Sequence, residues 1–241
     1  MTQYGLPWMG SKSRFAKWIM SHIPKEPILV DLFAGGCAVT DAALERGQRV
    51  VACDRCWQVL DLFDKTLYYG APPLPDMPRT NQELRESDLL TQICWSFGTT
   101  LDTLAHTGLR ATTRYRRICS IHTRHRAPGG WVRYYTGDSL SFNPPREPCV
   151  IYADPPYAGT ASYDRGYADD IPIAEASTRQ VVAQLREWDR PWLMSEASVP
   201  SGLMVVDQLP VTHGLHTHGA GRIEYLLTDP KWAQYFLQRL I

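Results

Sequence analysis

Two apolar periods alternate along the chain and outline its elements. Phe15, Ile19 and Ile23 recur every four residues, which predicts a helix from Trp8 to Ile23, ended by Pro24 and Pro27. Ile28-Leu29-Val30 reads as a short strand and runs into Asp31-Leu32-Phe33-Ala34-Gly35-Gly36. A helix is expected over Val39 to Arg46, closed by Gly47, then a strand from Arg49 to Cys53 that ends at Asp54. Gln58 to Tyr69 is a further expected helix. Strand, helix, strand in this order is a β-α-β unit, and such a unit requires parallel pairing through a crossover.

The pattern then changes. Gly70 to Arg79 is proline-rich and marks a boundary. From about Asn81 to Tyr135 strand alternation is weak, which predicts an inserted, mainly helical module. The α/β pattern resumes at Asp138, with a strand from Cys149 to Ala153 and a helix from about Ile173 to Trp188. Strands are expected at Trp192-Leu193-Met194 and at Ile223 to Thr228. The expected fold class is therefore α/β with a mostly parallel central sheet. Residues 1–70 and 134–241 form the main domain and 71–133 the insertion.

Composition narrows the class without naming a function. With 44% apolar and 21% charged residues, the 241-residue chain is an ordinary globular sequence. No apolar run approaches the roughly 18 residues of a membrane span, and the first residues lack a signal-peptide pattern. Six irregularly spaced cysteines do not suggest a disulfide framework, so a cytoplasmic protein with free thiols and no membrane partner is expected. Net charge is zero, yet its distribution is uneven. Thr103 to Gly137 contains no acid, while Arg110, Arg114, Arg116, Arg117, Arg124, Arg126 and Arg133 fall within it. Arginine's planar fork suits phosphates and guanine edges, so the cluster suggests nucleic acid.

Four segments carry candidate chemistry. Asp154-Pro155-Pro156-Tyr157 follows the strand ending at Ala153. Proline cannot extend a central strand, so the backbone stiffens as it leaves the sheet and holds Asp154 and Tyr157 at the carboxyl edge. One carboxylate, freed carbonyls and a ring could grip a planar group bearing NH2. Gly35 and Gly36 permit close approach of backbone to a ligand at a helix N-terminus, and Asp31 at the strand end would suit an ammonium group. A plain tight strand-to-helix turn has the same residues. Asp54, about twenty residues on, could accept both hydroxyls of a ribose; alone, it would cap a helix. Asp138 could accept from an adenine amine or simply serve a turn. Trp8, Gly10 and Lys12 could set a ring and a cation beside a carboxylate ligand. Cys53-x-x-Cys56 has metal-like spacing without a second pair, and His213, His216 and His218 sit in an expected loop, so no metal is expected.

Taken in order, these segments resemble the Dam-like DNA adenine methyltransferases. Trp8 and Lys12, Phe33 and Gly35, Asp54, and Asp154 to Tyr157 keep that family's spacing. Leu193-Met194-Ser195 and Glu224-Tyr225-Leu226-Leu227 resemble its last strands. The chain departs from the pattern at Cys37 and Ser11, where glycine is usual, and lacks the family's Phe-Asn-Gly segment. The resemblance implies a Rossmann-like, S-adenosylmethionine-dependent methyltransferase fold with an inserted target-recognition module. It implies cofactor contacts from Trp8, Gly10, Lys12, Asp31, Phe33, Gly35, Asp54, Asp138 and Asp154, and catalysis by Asp154, Pro155, Pro156 and Tyr157. DNA contacts are expected from Arg110, Arg114, Arg116, Arg117, Arg124 and Arg126, with the target adenine flipped out of the duplex. No obligate protein partner is implied. Cytosine N4 methylation, an RNA substrate and a non-catalytic binding module are the alternatives. A stand-alone, restriction-linked or phage-encoded enzyme would share these features.

Overall fold

The structure is a computed structural model that describes residues 2–25, 27–97, 101–105, 108–125, 130–156, 177–211 and 222–238. Seven strands form one sheet in the order β3-β2-β1-β4-β5-β7-β6. These are β1 (Ile28–Asp31), β2 (Val50–Asp54), β3 (Val132–Thr136), β4 (Cys149–Ala153), β5 (Trp192–Glu196), β6 (Met204–Val211) and β7 (Arg222–Thr228). The first five are mutually parallel; β7 runs antiparallel to both β5 and β6. The strand order reverses at β1, and this reversal opens the crevice where such sheets bind ligands. The topology is that of a doubly wound, Rossmann-like α/β sheet with one antiparallel strand, β7, inserted near its edge.

Burial explains the pattern of the central strands. Every residue of β1, β4 and β5 is buried, as expected where helices cover both faces of a parallel sheet. Alternate residues serve opposite faces. Leu29, Val150, Tyr152 and Leu193 join one apolar cluster with helices α1 (Ala16–His22), α2 (Ala38–Glu45) and α3 (Trp57–Tyr69). Ile28, Val30, Ile151, Trp192 and Met194 join the other, against Val181, Val182 and Leu185 of helix 178–188.

The stretch between α3 and β3 is mainly helical: α4 (Asn81–Glu86), α5 (Leu89–Trp95) and α6 (Gly108–Arg124); α7 (Thr178–Trp188) and α8 (Pro230–Leu237) come later in the chain. Its buried residues Leu84, Ile93, Ile118 and Ile121 belong to the same cluster as Leu29 and Phe63, so these helices share the core of the sheet. Three expectations change. Helix α1 starts at Ala16 rather than Trp8, because Gly10 (φ 64°) breaks the pattern and residues 8–15 run as turns. Val132–Thr136, expected within the helical stretch, is an edge strand on β2, where half-exposed positions leave little alternation to read. Strand β6 was not foreseen, since its mixed polar sequence with Pro210 reflects an edge position. Among the described residues no helix is long and apolar enough to cross a membrane.

Candidate active site

The carboxyl ends of β1, β2 and β4 open on one cavity, which also takes in the loop after β3. All nine residues expected to hold a cofactor line it, although they are spread from Trp8 to Asp154. Pro156 joins them; Pro155 is buried beside it, and Tyr157 lies outside the described residues. The sequence reasoning missed Arg55, Cys56, Ser139 and Tyr152, which also line the cavity. Arg55 and Cys56 follow Asp54 directly, so the strand end itself was the available signal.

Each carboxylate has a distinct environment. Asp31 is buried, and its Oδ2 accepts from the Thr40 N–H (3.1 Å) and hydroxyl (2.7 Å). It thereby serves the start of α2, whose N-cap Cys37 makes no side-chain cap. Its other oxygen takes no hydrogen bond from the described residues. Burial without a counter-charge pushes the Asp31 carboxyl up to about 7, despite the two bonds from Thr40 and with the negative charges of Asp154 and Asp54 adding to the rise. Asp54 accepts from the backbone N–H of Gly35 (2.7 Å) through Oδ2 and of Cys56 (2.8 Å) through Oδ1. Burial raises its carboxyl as well, opposed by those N–H groups and by Arg55. Each Asp54 oxygen retains capacity for a second donor. Asp138 caps the short 3-10 turn Ser139–Ser141 and faces Arg55 at 3.3 Å. Burial pushes the Cys56 thiol up to about 11, which keeps the sulfur protonated at neutral pH. Among the described residues no cluster of three or more His, Cys, Asp or Glu could hold a metal ion.

The glycine turn has a second use that the sequence did not reveal. A Cβ on Gly36 would lie 2.6 Å from Trp8 Cβ and 2.7 Å from the Leu6 carbonyl oxygen. The Gly36 carbonyl in turn accepts from the Leu6 N–H at 2.7 Å. Glycine here admits the N-terminal segment, which forms one wall of the cavity. Cys37, where the second family glycine is usual, adopts the left-handed conformation (φ 58°, ψ 34°) that favours glycine. Holding a side chain there costs about 1 kcal/mol.

Behind the wall lies the catalytic candidate. Lys12 Nζ donates to Asp154 Oδ1 (2.6 Å) and Oδ2 (2.8 Å) and lies 3.4 Å from Glu224 Oε1. Residue 224 lies near the start of β7, and the reversed direction of that strand brings it to the carboxyl edge of the parallel strands.

The arginine cluster divides. Arg117 donates to the carbonyls of Tyr4 (2.6 Å), Gly5 (2.9 Å) and Leu6 (2.7 Å) and to Ser11 Oγ (3.0 Å). Arg114 donates to the carbonyls of Ile93 (2.7 Å) and Ser96 (2.8 Å). Arg124 pairs with fully buried Asp41, as does His125 Nε2 at 2.6 Å. These three arginines were expected on DNA and instead tie α6 to its neighbours, because buried carbonyls and a buried carboxylate require donors. His122 likewise bonds the Leu67 carbonyl (2.9 Å), and Tyr115 the Pro72 carbonyl (2.7 Å). Arg116 is exposed, and Arg110 stacks over the exposed ring of Phe97 at 4.8 Å. Arg126 and His213, His216 and His218 lie outside the described residues.

No curated protein matches the chain. A solved structure from Haemophilus influenzae, described as a candidate methylase, is similar at 12% identity with a TM-score of 0.40, covering 90% of this chain and 95% of that one. Residues 8–67 contain the Trp8–Lys12 segment, the glycine turn and Asp54, and they match the family model of the D12 class N6 adenine-specific DNA methyltransferases, which is consistent with the resemblance of the motifs.

Proposed function

We propose that the chain transfers the methyl group of S-adenosylmethionine to the N6 amine of adenine in DNA, acting on a base turned out of the duplex. The observation that carries this reading is the convergence of Asp31, Asp54 and Asp138 with Asp154 on one cavity. The donor set fits the cofactor. The uncompensated carboxylate of Asp31 suits its ammonium group, and Asp54, with a backbone donor on each oxygen, suits its ribose hydroxyls. Asp138 would accept from the adenine amine and Trp8 would flank the ring. When bound, the cofactor supplies an electrophilic methyl group on a sulfonium.

The residues after β4 act on the target. The lone pair of N6 is delocalised into the ring, so the amine is a weak nucleophile. Asp154 accepting one N–H and the Pro155 carbonyl accepting the other would draw the nitrogen toward tetrahedral geometry. Fixing that orientation lowers the barrier by several kcal/mol. Asp154 need not remove a proton first, since the methylated amine becomes acidic and releases one afterwards. Tyr157 would stack on the base. Exposed Arg110 and Arg116 supply phosphate contacts.

The test is expression in a host without DNA adenine methylation, followed by nucleoside mass spectrometry. N6-methyladenine is expected, and Asp154→Ala should abolish it while leaving circular dichroism unchanged. DNA without a methylated base, or carrying N4-methylcytosine alone, would sink the proposal.

A further inference from the structure

Lys12 occupies the carboxylate that the proposed chemistry needs. Its ammonium spans both oxygens of Asp154, at 2.6 and 2.8 Å. A target N–H must either take a second acceptor position beside the ammonium or displace it. Methyl transfer also makes N6 cationic, and an ammonium held on Asp154 would repel the developing charge. The lysine side chain is nine-tenths buried, so moving it into water is not the short route. Glu224 stands on the other side of Nζ at 3.4 Å, and its own side chain is 4% exposed. Two carboxylates, Asp154 partly buried and Glu224 buried, thus flank one ammonium, which is bonded to the first and within a small displacement of the second.

We infer that Glu224 is a positioning residue that receives the Lys12 ammonium when the target amine takes Asp154. This deepens the proposed function and rests on it. The arrangement depends on the reversed direction of β7, which brings residue 224 to the edge where β4 ends. A shift of Nζ by less than an ångström would bring Lys12 within ordinary hydrogen-bond distance of Glu224. Asp154 would then give up an ammonium contact in favour of the target N–H, and the ammonium would remain paired throughout.

Two measurements on the full chain test this. The first is a crystal structure of Asp154→Asn, which keeps the shape of the side chain and removes its charge. Lys12 Nζ is expected within about 3 Å of Glu224. An ammonium left at its present distance, or turned to solvent, would overturn the inference. The second is kinetics of Glu224→Gln on unmethylated genomic DNA. A fall in kcat of at least about tenfold is expected, with the half-saturating cofactor concentration moved less than about threefold, as for loss of a transition-state contact. Glu224→Asp should recover part of kcat, which a purely space-filling role does not predict. Wild-type kcat in Glu224→Gln would also overturn the inference. Absence of transfer by the wild-type chain would instead remove the proposed function, and the Asp154→Asn structure would still decide where the ammonium goes.

Discussion

Replacing Asp31 by Asn should stabilise the empty protein at alkaline pH while removing its affinity for the cofactor. The rise of the carboxyl from 3.8 to about 7 corresponds to about 4 kcal/mol, at 1.36 kcal/mol per tenfold change in proton affinity. The sign follows from linkage. Between pH 4 and 7 the folded protein binds the Asp31 proton more tightly than the unfolded chain, so stability falls as pH rises through that window. Above it the native state carries an uncompensated buried charge. Asn keeps an acceptor for the Thr40 N–H and hydroxyl but cannot ionise. Denaturation by urea without cofactor, at pH 5 and pH 8, should show the stability of the variant relative to wild type growing by about 2–3 kcal/mol from the lower pH to the higher, because the wild type has lost only part of the linkage figure by pH 5 and nearly all of it by pH 8. S-adenosylmethionine should restore the wild type at pH 8 in proportion to RT ln(1 + [L]/Kd) and leave the variant unchanged. A variant no more stable than wild type at pH 8 would refute the electrostatic reading of Asp31.

Neighbouring arginines of α6 should behave oppositely. Arg116→Ala should lower DNA affinity and reduce the salt slope by about 0.9 without changing thermal stability. Arg117→Ala should cost about 3 kcal/mol, since it leaves the carbonyls of Tyr4, Gly5 and Leu6 without their donor; equal melting temperatures for the two variants would contradict this division. Gly36→Ala should abolish cofactor binding measured by calorimetry, because the new methyl group would meet Trp8 and the Leu6 carbonyl below 3 Å. Retained affinity there would mean that the wall of the cavity can move.

The strands that build the site were readable because their signals are local. Ile28-Leu29-Val30 and Cys149 to Ala153 are short apolar runs closed by an acid or by Asp-Pro-Pro, and burial on both faces demands such runs. Asp31, Asp54 and Asp154 were legible for the same reason: an acid that closes or follows a buried apolar run stands at the strand's carboxyl end, where the crevice lies. Glycines 35 and 36 marked a turn, but their closeness to Trp8 was not visible, because residues 6 and 8 reach them only in the folded chain. Helix α8 was not among the expected elements, although an Asp229 cap and Pro230 in its first turn give it a local start signal.

What the chain left open was the partner of each charge. A run of arginines is a local fact, but whether each faces solvent or a carbonyl depends on segments far away. Arg117 meets residues 4–6 across more than 105 positions, and Arg124 meets Asp41 across 83. Lys12 and Asp154 are separated by 142 residues, and only the strand order 2-1-4-5-7 lays β4 and the start of β7 around the same ammonium. Periodicity and turn chemistry act within a few residues, so they decided most elements and the strand ends, while the list of cofactor candidates came from the family resemblance of the motifs. Buried charges must be compensated wherever the fold brings them together, and that requirement, set by packing and sheet order, decided which arginines remain outward and which carboxylate Lys12 now covers.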